Sequence, residues 1–175
     1  MAIDFSRITL RPFKLSDVDD FMLLAGDDRV TYYTRWNTFA SREQALTFIQ
    51  DVCIPHPWSR FTCIDDRIIG FISVSTGSGD ERCRAEIGYA IAVKYWGQGI
   101  CTKAVRIAVS QVFKDFPDLV RIQAIVNVDN KASQRVLEKA GFLSEGMLRK
   151  YAYHKRIVKD VAIFSLLAED TRPPE

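Results

Sequence analysis

The chain lacks any run of about 18 apolar residues, so no membrane-crossing helix is expected. It also lacks a charge excess of either sign. Its 24 Lys and Arg stand against 22 Asp and Glu, for a formal net charge of +2 at pH 7. That balance gives no reason to expect nucleic acid or an anionic membrane as a partner. Residues 1–5 have neither the charged nor the apolar region of a signal peptide. The four cysteines, Cys53, Cys63, Cys83 and Cys101, form no C-x-x-C pair, and their irregular spacing predicts reduced, scattered thiols. These absences together predict a soluble cytoplasmic protein. Cys53, His56 and Cys63 lie near one another, but a fourth ligand is missing and Pro55 and Pro57 flank the histidine, so no metal is expected. Internal repeats and low-complexity segments are also absent.

What is present is a chain of 175 residues, 47% of them hydrophobic, enough for one domain with a sizeable core. Residues 7–13 alternate like a strand. Ser16 with Asp19, and Ser41 with Gln44, have the spacing of capping boxes and predict helices to about residue 24 and over 42–52. Residues 59–64 and 67–76 read as strands joined at Asp65-Asp66, and 84–93 as a third. Residues 100–114 are apolar at helical spacing, through Ile100, Ala104, Val105, Ala108, Val109, Val112 and Phe113. A strand over 120–127 follows. Asn130 is placed to cap a helix over 131–140, with Gly141 where a left-handed C-cap belongs. Strands at 142–149 and 156–167 close the pattern, and residues 172–175 read as a frayed tail. The order predicts a mixed α/β (α+β) fold, helices packed on a sheet.

The chemistry is concentrated at residues 91–104, IAVKYWGQGICTKA. A strand ends, Gly97 and Gly99 break the pattern, and a long helix begins. Glycine admits positive φ and lets bare backbone approach a ligand. A helix start leaves N–H groups unpaired at its positive end, which suits phosphate. An ordinary tight turn is the competing reading. The segment lacks the G-x-x-x-x-G-K-[ST] of a mononucleotide loop. A dinucleotide fold calls for a third glycine, where Thr102 stands, and an acidic residue closing the next strand, where Asn127 stands. A nucleotide-binding reductase is therefore disfavoured but stays in the comparison.

These residues resemble the [QR]-x-x-G-x-[GA] signature of the GNAT acyltransferase superfamily, and more closely its RimJ/RimL-like branch, which acetylates protein N-termini and other primary amines. LRPF at 10–13, IIGFISV at 68–74, AEIGYAIAVKYWGQGICTKAV at 85–105, NVDNKASQRVLEKAGF at 127–142 and EGMLRKY at 145–151 all resemble segments of that branch in order. The resemblance spans about residues 7–168. It implies a single-domain GNAT-like fold, a central, mostly antiparallel twisted sheet of about six or seven strands flanked by about four helices, between flexible termini at 1–6 and 169–175. It implies acetyl-CoA as cosubstrate without a metal, and either a monomer or a homodimer. By resemblance Ile91, Ala92 and Val93 pair with the pantetheine arm. Gly97, Gln98, Gly99, Ile100, Cys101 and Thr102 hold the pyrophosphate. Asn127, Asn130 and Ser133 contact the cofactor, and Tyr32, Tyr33, Arg35 and Trp36 line the acceptor pocket, although half-buried packing is an equal reading for them. Two positions depart from the pattern: Lys94 stands where Gln or Arg is usual, and Leu137 where many relatives carry a tyrosine acid.

The implied reaction is direct attack of a neutral amine on the acetyl thioester. A primary amine is mostly protonated at pH 7, so a base is needed. Glu86 is the candidate, on the same strand face as Gly88, Ala90 and Ala92, whose small side chains leave room for a ligand. Ser133 or a water is the candidate proton source for the leaving thiolate. Cys101, at a helix start, reads better as a packing residue than as a nucleophile, since no histidine is placed to serve it. A module that binds acetyl-CoA without turnover is the alternative from another class.

Overall fold

A computed structural model describes residues 3–171. Its strands are β1 (Ile8–Arg11), β2 (Ser59–Ile64), β3 (Arg67–Thr76), β4 (Arg84–Ile91), β5 (Arg121–Asn127), β6 (Leu143–His154) and β7 (Ile157–Leu167). The helices are α1 (Val18–Ala25), α2 (Asp28–Thr31), α3 (Arg42–Phe48), α4 (Ile100–Asp115) and α5 (Lys131–Lys139). The hydrogen-bonded strand order is β1-β2-β3-β4-β5-β7-β6. β4 and β5 pair in parallel, as a strand–helix–strand crossover requires, whereas β1/β2, β2/β3, β5/β7 and β6/β7 are antiparallel. This is the mixed, mostly antiparallel sheet expected from the sequence, with one helix more than expected. The extra one, α2, is a single turn capped by the Asp27 carboxylate, which accepts from the Arg29 N–H at 3.0 Å.

The chain divides into two compact units, one running to Ser73 with Tyr89–Ala104, the other Val74–Gly88 with Val105 onward. The first has an aromatic core around the fully buried Phe21. Its ring stacks on Phe48 at 6.1 Å and meets Phe61 at 5.6 Å. Burying one such ring contributes about 1.5–3 kcal/mol. The β2–β3 turn puts Asp65 and Asp66 at φ 49° and 64°. Their carboxylates accept from Arg7 at 2.9 Å and Arg11 at 2.6 Å, tying the start of the chain to the hairpin.

Several boundaries differ from the sequence expectation. Ser16 does not cap α1; a short 3-10 turn precedes the helix, and the Asp17 carboxylate accepts from the Lys14 N–H at 3.0 Å. β1 ends at Arg11 because Pro12 cannot extend the ladder. The helix from Arg42 continues beyond Phe48 as π-helix to Cys53, and the Ser41 hydroxyl accepts from the Gln44 N–H at 3.3 Å as its cap. The expected strand 84–93 stops at Ile91, where Ala92 turns into a 3-10 turn over Val93–Tyr95.

In the second unit α5 sits as expected. The Asn130 side chain accepts from the Ser133 N–H at 3.2 Å, and Gly141 has φ 97°. β6 runs five residues past its expected end, with its register broken between Leu148 and Ala152. The tail at 172–175 lies outside the described residues. Asp170 accepts from the Leu167 N–H at 2.9 Å in the turn Ala168–Thr171 before it.

Candidate active site

The glycine turn is built by a strand that ends early. The Ala92 N–H donates to the Ile69 carbonyl at 2.8 Å, and the Trp96 indole N–H to the Ile91 carbonyl at 2.8 Å. Close approach of β3 to β4 depends on Gly70, where a Cβ would lie 2.4 Å from the Ala90 carbonyl oxygen. Trp96 thus acts as a strut for the strand end, while half of its surface stays exposed.

Beyond it, Gly97 and Gly99 have φ 71° and 77°, a region closed to most side chains. The Gln98 side-chain amide donates to the Lys94 carbonyl at 2.9 Å and closes the loop below. The first helical bond of α4 runs from the Lys103 N–H to the Gly99 carbonyl at 3.1 Å. Gly99 is therefore the N-cap, and the N–H groups of Ile100, Cys101 and Thr102 have no partner within the helix. Gly97, Gln98 and Gly99 are exposed, and a Cβ on Gly97 would meet nothing within 4 Å. Open backbone, unpaired donors and the positive end of a 16-residue helix coincide here, which is what a phosphate diester needs.

One residue here escapes sequence reasoning. A Cβ on Gly99 would sit 3.1 Å from Cζ of Phe5, so the Phe5 ring occupies the space a side chain would take. Nothing local links residues 5 and 99; the contact exists because the Arg7–Asp65 pair and the Asp4 cap on Ser6 fix the first turn of the chain.

Cys101 packs as a thiol. Burial pushes its pKa up to about 12, so almost no thiolate exists at neutral pH. Ile100 beneath it is fully buried and Thr102 nearly so, which anchors the turn from inside.

The second unit holds the remaining candidates. Glu86, half-buried on β4, lies opposite Gln123 of β5, while its neighbours Ala85 and Ile87 are buried on the other strand face. Asn127, Asn130 and Ser133 are joined by hydrogen bonds. The Asn130 N–H donates to the Asn127 carbonyl at 2.9 Å, and the Asn130 side chain caps Ser133. Asn130 is thus a helix cap in fact, as its position predicted. Leu137, where a tyrosine acid would stand, is wholly buried.

The four acceptor-pocket candidates separate. Tyr32 and Tyr33 meet edge-on at 4.7 Å on the surface, and Arg35 is exposed. Trp36 is half-buried and packs among Phe21, Phe39, Phe48 and Phe71, at 5.3 Å from Phe39. The helix-flanking aromatic run gave no signal to tell these neighbours apart. Among the described residues no cluster of three or more His, Cys, Asp or Glu side chains could hold a metal, and no helix is long and apolar enough to cross a membrane.

Residues 7–143 match the family model described as "Acetyltransferase (GNAT) domain". The chain belongs to the GNAT acetyltransferase family. It is 34% identical over 170 residues to "Uncharacterized N-acetyltransferase p20" of Bacillus licheniformis, covering 94% of each chain. It is 31% identical over 171 residues to "Uncharacterized N-acetyltransferase YoaA" of Bacillus subtilis, covering 94% of this chain and 96% of that one. Its fold superposes with TM-score 0.79 on Mycobacterium smegmatis RimJ in complex with CoA-disulfide, at 24% identity, over 95% of this chain and 84% of that one. The GNAT enzyme is thus an acyltransferase with the fold of the RimJ/RimL-like branch.

Proposed function

We propose that this acyltransferase moves the acetyl group of acetyl-CoA to a primary amine, on a protein N-terminus or a small molecule, within a ternary complex. The observation that carries the reading is the exposed turn at Gly97 and Gly99, both at positive φ, opening a long helix whose first N–H groups have no helical partner. Membership of the GNAT family supports acetyl-CoA as the ligand of that turn. When bound, acetyl-CoA supplies the acetyl thioester.

The amides of residues 97–102 hold the diphosphate. Ile91 and Val93 serve the pantetheine arm better than Ala92, whose N–H is committed to Ile69. Val93, just past the strand end, is the candidate donor to the developing oxyanion. Glu86 takes the proton of the attacking amine, directly or through water. The N–C bond forms as the C–S bond breaks, and the thiolate leaves with a proton from Ser133 or water. A thiol pKa of about 8.5 makes a strong acid unnecessary there. Tyr32, Tyr33, Arg35 and the half-buried Trp36 are the acceptor candidates, and the free cysteines fit a reducing cytoplasm.

The test is thiol release from acetyl-CoA across a panel of peptides and amines, for wild type and Glu86→Gln. The reading predicts turnover with at least one acceptor, and a variant that binds CoA normally but turns over about 100-fold more slowly. CoA binding without turnover on any acceptor would instead make the chain a non-catalytic acetyl-CoA holder.

A further inference from the structure

The two glycines of the turn share a conformation but not a setting. Both have positive φ, 71° at Gly97 and 77° at Gly99. A Cβ on Gly97 would meet nothing within 4 Å, whereas one on Gly99 would lie 3.1 Å from Cζ and 3.8 Å from Cε2 of Phe5. One glycine is open where a side chain would stand. The other is backed there by an aromatic ring from the start of the chain.

That ring contributes little to the core. Phe5 belongs to the 3-10 turn Phe5–Arg7, none of whose residues is buried, and it is 42% exposed. It stands outside the buried cluster around Phe21. Everything else that ties the turn down is polar. The Asp4 carboxylate accepts from the Ser6 N–H at 2.9 Å and the Asp4 carbonyl from the Arg7 N–H at 3.1 Å. Arg7 Nε donates to the Asp65 carboxylate at 2.9 Å, on the β2–β3 turn. A ring free to swing across the glycine turn would be a gate, but one carried on a turn tied at these points is a support.

A support has work to do here, because glycine backbone loses the most freedom when it is ordered. The stretch 97–102 has to aim several N–H groups at one anion, and ordering it only on binding would weaken affinity. The Gln98 side-chain amide pins the turn at one point, through the Lys94 carbonyl at 2.9 Å. Phe5 supplies a second point at Gly99, whose carbonyl accepts the first helical bond of α4 from the Lys103 N–H at 3.1 Å. Gly97 is left clear for a ligand.

We propose that Phe5 is a positioning residue for the cofactor. Its ring backs Gly99 and holds the 97–102 amides in their binding arrangement before CoA arrives. The inference deepens the transferase reading and rests on acetyl-CoA being the ligand of the turn. Phe5 acts through Gly99 by filling space, so a large aliphatic side chain should replace it.

Calorimetric titration with CoA compares wild type, Phe5→Ala and Phe5→Leu. Amide order parameters over 97–102 and hydrogen-exchange protection of the Lys103 N–H are read on the same chains without ligand. Phe5→Ala should bind CoA about three- to tenfold more weakly, with lower order parameters in the turn and less protection at Lys103. Phe5→Leu should restore most of all three. Protection along β5 and β7 should match wild type in both variants, which separates local loosening from general destabilisation. Unchanged CoA affinity or an unchanged turn in Phe5→Ala would overturn the proposal and leave the transferase reading standing. Tighter binding would do the same and make the ring an obstruction, and a loss in Phe5→Leu as deep as in Phe5→Ala would refute support by volume. A wild type that binds no CoA would overturn the transferase reading and this proposal with it.

Discussion

Replacing Gly97 by alanine separates the backbone role of the turn from its role toward a ligand. The residue has φ 71°, and a Cβ there would touch no protein atom within 4 Å. The folded protein therefore loses only the conformational preference, about 1–2 kcal/mol for an L-residue in the left-handed region. For a chain of this size that lowers Tm by about 2–8 °C in calorimetry or dye-based melting. The added methyl projects into the open space where the diphosphate is proposed to lie. Saturating CoA, at about 100 times its Kd, raises wild-type stability by about 2.7 kcal/mol. In Gly97→Ala the affinity is expected to fall at least about tenfold, erasing about 1.4 kcal/mol of that gain at the same ligand concentration. Melts with and without CoA, and calorimetric titration, read both effects. A lower Tm with unchanged CoA affinity would refute the cradle. An unchanged Tm would refute the left-handed backbone.

Three further outcomes follow from particular contacts. Gly99→Ala should destabilise more than Gly97→Ala, because its Cβ also meets Phe5; in a Phe5→Ala background the excess should vanish and the conformational part remain, as a double-mutant cycle of melts would show. Cys101, half-buried and with its thiol pushed up to about 12, should resist iodoacetamide at pH 8 while exposed Cys83 is alkylated, as peptide mass mapping would report; prompt modification of Cys101 would contradict that upward shift. Arg121 donates to Glu145 at 2.9 Å and holds its carboxyl below the ordinary value of 4.5. That contribution is full above pH 4.5 and is lost as pH falls through the lower folded value, so Glu145→Gln should destabilise at pH 7 and converge on wild type in acid melts.

Features set by local chemistry were legible in the sequence. Gly97 and Gly99 mark the turn, Asn130 and Gly141 bracket α5, and the apolar stripe of Ile100, Ala104, Val105, Ala108 and Val112 defines α4. The rest needed contacts between distant residues. The strand through Ile91 stops because Trp96 and Ile69 fix its end, not because of any breaker at Ala92. Trp36 is half-covered because Phe21, Phe48 and Phe71 from other elements join its neighbour Phe39 against it. Phe5 lies beside Gly99 in a chain start that the Arg7–Asp65 pair ties to the β2–β3 turn, 58 residues on. β6 outruns its expected end because Lys150 adopts a left-handed conformation that a period-two pattern cannot register.

The central claim is that the backbone amides of residues 97–102 receive the CoA diphosphate. Amide nitrogen–proton NMR of the labelled chain, titrated with CoA, tests it directly. The account predicts large, saturable shifts at Gly97, Gln98, Gly99, Ile100, Cys101 and Thr102, with no comparable response to NADPH. Saturable CoA binding that leaves those six amides in place and moves others would contradict it.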